Sequence, residues 1–274
     1  MAAGDGVRVL VCVKRVPAPG ARIALTADGQ DIDTKNLGFT TSPHEECAVE
    51  EAIRLVEAHG GSTTVLTVGP PAADEQLRYA LSVGAGAAVL VTTDGHDPDA
   101  QATARALVRA IAALEEEDGP FDLILFGNES ADAGGFQVGI RVARALLRPV
   151  VNGIKGIDLD SDGGQVTVRR EAADGMEVYR LPLPAVLGVK EGINLPRYPS
   201  VPGRLRAKRK DVERIAVGAA SGGPGAAAGT ALGPSMVVLR LPEEQRSEAE
   251  VIGRGAEAAP AVVDLLERIG VLGS

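Results

Sequence analysis

Short apolar runs separated by stretches of helical period constrain this chain most. Residues 7–13, 62–68, 87–91 and 122–126 are such runs, each short enough for a strand. They do not alternate with polar residues, as expected of strands buried on both faces. Between them lie helix patterns. Ser42-Pro43-His44-Glu45 is a capping box with Pro at the first helical position. Ala48, Ala52, Leu55 and Val56 then share a face, and Gly60-Gly61 stops the helix. Leu77, Ala80 and Leu81 mark a second helix closed by Gly84. Asp97-Pro98 is expected to open a third, with Leu107, Ile111 and Leu114 inward, and residues 140–147 form a fourth. This alternation predicts an α/β fold: an open, mostly parallel sheet flanked by helices, with right-handed crossovers.

The pattern changes after residue 147. Residues 165–170 and 176–181 flank Asp174-Gly175 and predict a β-hairpin insertion. Residues 184–190 read as a further strand, and residues 15–33 as a long loop or small hairpin. Residues 216–234 are mostly Ala, Gly and Pro, the composition of a linker. A strand at 236–241 and a helix at 260–269 follow as an extended C-terminal arm. The expected organisation is an α/β domain over 1–215, a linker over 216–234 and an arm over 235–274.

Ligands on open parallel sheets sit beyond the carboxyl ends of the strands. Three such ends stand out: the segment after Val13, the turn after Val68 and the loop at 127–139. The loop, Gly-Asn-Glu-Ser-Ala-Asp-Ala-Gly-Gly-Phe-Gln-Val-Gly, joins a strand to a helix N-terminus. Free amides and the helix dipole make that arrangement suited to a phosphate. It is neither a Walker A sequence nor a GxGxxG fingerprint.

No catalytic motif accompanies the loop: GxSxG, HExxH and CxxC are all missing. His44, His59 and His96 are scattered, and Glu50-Glu51 and Glu115-Glu116-Glu117 read as solvated helix faces. Cys12 and Cys47 read as buried free thiols, with no disulfide and no metal site. A net charge of -9 argues against general nucleic-acid binding. No run is long enough for direct membrane insertion, and the chain is read as cytoplasmic. Any chemistry is expected of a bound cofactor rather than of the chain.

Several segments together resemble the beta subunit of the electron transfer flavoprotein. They are Val11-Cys12-Val13-Lys14-Arg15-Val16-Pro17, the stretch from Ser42 to Ala52, the loop at 127–139, Arg170-Glu171-Ala172-Ala173-Asp174-Gly175-Met176-Glu177 with Leu183-Pro184-Ala185-Val186, and Ile193-Asn194-Leu195-Pro196-Arg197-Tyr198-Pro199 with Ala207-Lys208-Arg209-Lys210. The resemblance covers roughly residues 7–215, in the family's order. It implies a Rossmann-like, adenine-nucleotide-binding sheet and a heterodimer with an alpha subunit that holds most of the FAD. This chain would bind AMP structurally and wall part of the flavin site. It would carry electrons from acyl-CoA or related flavin dehydrogenases to an ETF-quinone oxidoreductase, as a carrier and not an enzyme.

The resemblance places AMP at Cys12, Val68, Asp132, Gly135, Phe136, Gln137 and Val138. Phe136 and Val138 are apolar where relatives often carry hydrogen-bonding side chains, so main-chain amides and Gln137 would hold the phosphate. Phe39, Pro43 and His44 would lie near the FAD, where His44 can stack on the ring or donate a hydrogen bond. Glu191, Ile193, Asn194, Leu195 and Pro196 would dock the partner dehydrogenase, with Ile193 as the exposed aliphatic anchor or, on its bland reading, a core residue. The basic run Arg204, Arg206, Lys208, Arg209 and Lys210 either steers acidic partners or is a solvated face. Three alternatives remain open: a second FAD in place of AMP in an electron-bifurcating version, a stand-alone universal-stress-type nucleotide-binding protein, and an adenylate-using enzyme. The last lacks its Ser/Gly pyrophosphate loop here, since Lys14-Arg15-Val16-Pro17 stands in that place.

Overall fold

The computed structural model describes residues 6–93, 98–160, 164–216, 237–242 and 250–272, and β1 (Val7–Cys12) lies inside its nine-stranded sheet. Val7, Val9 and Val11 enter one core while Leu10 and Cys12 enter another. A strand covered on both faces gains from apolar residues at every position, which is why it reads as an unbroken run.

A two-stranded ladder of β2 (Val16–Pro17) and β3 (Phe39–Thr40) follows, with one bridge between Leu25 and Ile32. The first helix, α1 (Pro43–His59), starts on the expected capping box. The Ser42 hydroxyl accepts the Glu45 amide at 3.3 Å, and the Glu45 carboxylate accepts the Ser42 amide at 2.9 Å. Then come β4 (Gly61–Gly69), α2 (Asp74–Val83), β5 (Ala87–Thr92), α3 (Ala100–Asp118), β6 (Leu123–Gly127) and α4 (Val138–Ala145). Helices α1 and α2 cover one face of the sheet, and α3 and α4 the other.

The second half adds β7 (Val150–Leu159), β8 (Gln165–Ala172), β9 (Gly175–Pro182), β10 (Ala185–Val189), α5 (Val201–Arg209), β11 (Glu213–Ala216) and α6 (Ala259–Arg268). The strand order is β11-β5-β4-β1-β6-β10-β7-β8-β9. Pairing is parallel from β11 through β7, and β8 and β9 extend the sheet antiparallel. The expected α/β class with a hairpin insertion is therefore observed. The chain moves outward from β1 to β4 and β5, then returns to β6 on the other side of β1. That reversal opens a crevice at the carboxyl ends of β1 and β6.

Four local expectations need correction. The third helix is capped by Asp99, whose carboxylate accepts the amides of Gln101 and Ala102 at 2.7 and 2.8 Å, so Pro98 precedes the cap; Asp97 lies outside the described residues. The hairpin turn is Ala173-Asp174, and Gly175 already pairs with Ala172. Residues 237–242 form no strand; they meet the 26–32 turn through the Leu239 amide, which donates to the Gly29 carbonyl at 2.8 Å. Ala216 belongs to β11, and the rest of the expected linker, with Met236 and His96, lies outside the described residues.

Candidate functional site

Lys14 leaves the end of β1 and spans the crevice. Its amide donates to Glu45 Oε1 at 2.9 Å, and its ammonium pairs with the carboxylate of Asp132 in the loop after β6. Burial raises the Asp132 carboxyl, but the Lys14 hydrogen bond and charge outweigh it and hold the group below its ordinary value. Thr67 Oγ1 donates to the Val13 carbonyl at 2.7 Å and ties β4 to the chain leaving β1. Glu45 is buried beneath this bridge. Burial pushes its carboxyl up to about 8, against the pull of the Ser42 and Lys14 amides.

The glycines of the 127–139 loop divide by purpose. A Cβ on Gly127 would lie 2.7 Å from Glu45 Cγ and 3.2 Å from His44 Cβ, so its bareness lets α1 abut the end of β6. A Cβ on Gly139 would lie 3.2 Å from the Phe126 ring, so Gly139 seats α4 on the sheet. Gly135 has open space around it. Phe136 adopts a left-handed φ of 53° and is half exposed. Among the described residues none accepts the backbone amides of Gly135, Phe136, Gln137 or Val138. These four sit at the start of α4, where the dipole favours an anion. The Gln137 side-chain oxygen instead accepts from Arg141 at 3.0 and 3.2 Å.

The adenine side is less open. Cys12 lies in the core shared with α3 and α4, and burial, with the Glu45 charge, pushes its thiol well up. Only its main chain can face a ligand. Val68 is partly buried near the end of β4. Both thiols are free and buried, as expected.

Beside the crevice, Pro43 is exposed and the Arg15 guanidinium stands 3.2 Å from the Phe39 ring centroid. His44 is wedged between two loops. Its Nδ1 accepts the Glu191 amide at 2.8 Å, which fixes the proton of the neutral ring on Nε2, 3.5 Å from Glu129 Oε1. The sequence left donation to a flavin open; Nε2 stands near Glu129 without a hydrogen bond to it.

The 190–200 loop is strapped to α1. Asn194 donates to the Cys47 carbonyl at 3.0 Å and to Glu51 at 2.9 Å. Arg197 bonds Glu50 at 2.8 Å and Glu57 at 2.7 Å, and Arg54 holds Glu50 from the other side. Burial raises Glu50, yet Arg197 and Arg54 hold it below its ordinary value. The expectation of solvated acids is thus wrong for Glu50 and Glu51, and for Glu115, which binds Arg148 at 2.8 Å. Ile193, expected as the exposed anchor, packs partly buried against the core, so its bland reading is the observed one. Leu195 is 83% exposed and Tyr198 93%. Glu191 is exposed, and Pro196 partly buried. The basic run falls on and just after α5, largely exposed, although Lys210 reaches back to the Gly86 carbonyl.

Comparison with known proteins points one way. A family model described as "Electron transfer flavoprotein domain" matches residues 32–220. The electron transfer flavoprotein subunit beta of Mycobacterium tuberculosis is 33% identical over 94% of this chain and 97% of its own length. That of Bacillus subtilis is 36% identical over 64% of this chain and 66% of its own. Protein FixA of Rhizobium meliloti is 34% identical over 74% of this chain and 70% of its own.

Proposed function

The chain belongs to the electron transfer flavoprotein family, on its beta-subunit side, and from that premise we propose that it binds AMP in the β1/β6 crevice, completes the FAD site of an alpha subunit and docks flavin dehydrogenases. The observation that carries this reading is the row of four amides at the start of α4, unused among the described residues and opening on the switch point of the sheet. The phosphate meets the amides of Gly135, Phe136, Gln137 and Val138. The main chain at Cys12 and Val68 frames the adenine, and Asp132 holds Lys14 at the rim. Phe136 and Val138 need no polar side chain, because main chain does the binding.

The flavin supplies the redox chemistry of the assembly. The residues of this chain position it: Phe39, Pro43 and His44 form a wall, with His44 held by Glu191 and standing near Glu129. Leu195 takes the docking role assigned from sequence to Ile193, because it is the aliphatic side chain of that loop exposed to a partner. Glu191, Asn194 and Pro196 shape the loop around it. The apolar side of α6, including Val262 and Val263, packs on the alpha subunit. The chain carries electrons from acyl-CoA-type dehydrogenases to a quinone oxidoreductase and has no catalysis of its own. No helix among the described residues is long and apolar enough to cross a membrane, and we place the protein in the cytoplasm.

Ligand content tests the proposal. The chain is co-expressed with its alpha subunit, the complex is purified, and FAD and AMP released by acid are measured. One FAD and one AMP per heterodimer are expected. Two FAD without AMP moves the chain to the bifurcating version. A monomer that ignores the alpha subunit and binds ATP overturns the reading.

A further inference from the structure

On the face of the sheet away from α1, a groove of about 580 Å³ runs between α3 and α4. Its floor is apolar: Ala104, Val108, Ile140 and Ala145, with Ile140 46% exposed. Its walls carry Arg105, Arg109, Arg141 and Arg144. The described lining contains no Asp or Glu, in a chain whose net charge is -9. Helical spacing produces this: 104/105 and 108/109 on α3 face 140/141 and 144/145 on α4, each pair setting an apolar residue beside an arginine.

We propose that this groove seats an acidic amphipathic helix of a partner protein. Its apolar face covers the floor, and carboxylates on both flanks reach the guanidinium groups. Residues 101–109 span ~12 Å of α3, room for about two turns of a bound helix. A polyanion such as RNA fits less well. It would leave the apolar floor wet, and the net negative charge of the chain opposes its approach. The groove adjoins the crevice at Arg141, which donates to the Gln137 side chain, but Arg109, Arg144 and Ile140 lie outside that pair, so the proposal stands whether or not AMP binds in the crevice.

The probe is a labelled helical peptide of about 14 residues, Leu on one face and Glu on the flanks. Fluorescence anisotropy follows its binding to the full chain and to the complex with the alpha subunit. Saturable binding is expected to weaken about tenfold in Arg109→Glu/Arg144→Glu and to fade in high salt. Ile140→Gln, which keeps the charges, should weaken it several-fold. Melting temperatures near the parent value show that these exposed variants still fold. Equal affinity of the double variant overturns the proposal. So does equal binding of a scrambled peptide of the same composition, or displacement by tripolyphosphate or an RNA oligonucleotide at equal concentration.

Discussion

Two loops leave neighbouring parallel strands at the same end of the sheet, and they are built in opposite ways. Among the described residues, the loop after β6 keeps four backbone amides without protein acceptors, and it carries a residue in the left-handed region. The loop after β10 is bound to α1 through Asn194, Arg197 and the Glu191 amide. A surface meant to receive a ligand must leave its hydrogen-bonding groups available. A surface meant to present an apolar side chain to water must be braced from behind, or that side chain would fold inward. Binding and docking therefore leave opposite signatures: missing bonds in one loop and abundant bonds in the other.

The largest effect that sharpens this contrast is expected from Arg197→Ala. It removes one of the two arginines that hold Glu50, whose side chain is 4% exposed, and leaves the half-exposed Arg54 to balance the buried charge. Unfolding should become easier by about 3 kcal/mol, a drop in melting temperature of roughly 6–12 °C. A drop of about 1 °C would mean that solvent already screens the strap.

A paired substitution within the same loop comes next. Ile193→Ala should cost about 2 kcal/mol of stability by denaturant titration, because it removes packing against the core. Leu195→Ala should cost less than about 0.5 kcal/mol, yet slow electron transfer from the dehydrogenase about tenfold at unchanged flavin content. Reversed roles in these two assays would return the anchor to Ile193.

Acid and base should attack the two regions from opposite sides. Glu50 has a depressed carboxyl in the fold, so its contribution is present above the unfolded value of 4.5 and is lost as pH falls through the folded value. Glu45 is raised to about 8, so its contribution is complete below 4.5 and is lost as pH rises through 8. Melting curves across pH should show Glu50→Gln converging with the parent in acid. Glu45→Gln should match the parent in acid, where both side chains are neutral, and melt above it in alkali, where the buried parent carboxyl ionises. Parallel profiles would break the contrast.

The smallest effect belongs to the open loop. Phe136→Gly relieves a left-handed φ and should stabilise the chain by about 0.5 kcal/mol. AMP content should hold, because the amide remains. Loss of AMP would show that the ring itself, and not the main chain, holds the ligand.

What could be read from sequence follows the range of the forces involved. The capping box of α1 is four adjacent residues, and it forms as written. Buried parallel strands announce themselves by unbroken apolar runs. By contrast, β7 is interrupted by Asn152, Gly153, Lys155 and Gly156, and its register shifts, so neither period is visible. Helix α5 contains Pro202 and Gly203 and carries no apolar stripe, and it rests on α2 through contacts such as Arg78 with the Ala207 carbonyl. Ile193 and Leu195 are both aliphatic and two positions apart. Which one faces water depends on a strap between Arg197 and Glu50, 147 residues away in sequence. The glycine-rich loop drew attention correctly, but two of its glycines answer to packing of helices and not to a ligand.

Because α1 carries His44 and Glu45 at one end and Glu50, Glu51 and Glu57 along its flank, it indexes both loops from a single rigid rod. One residue inserted within it would turn everything downstream by about 100°, swinging the strap away while leaving the crevice in place. Over evolutionary time this helix should therefore keep its length strictly, whereas the 18–38 segment, joined by the Leu25–Ile32 bridge and touching residues 237–242, indexes neither loop and should tolerate changes in length better.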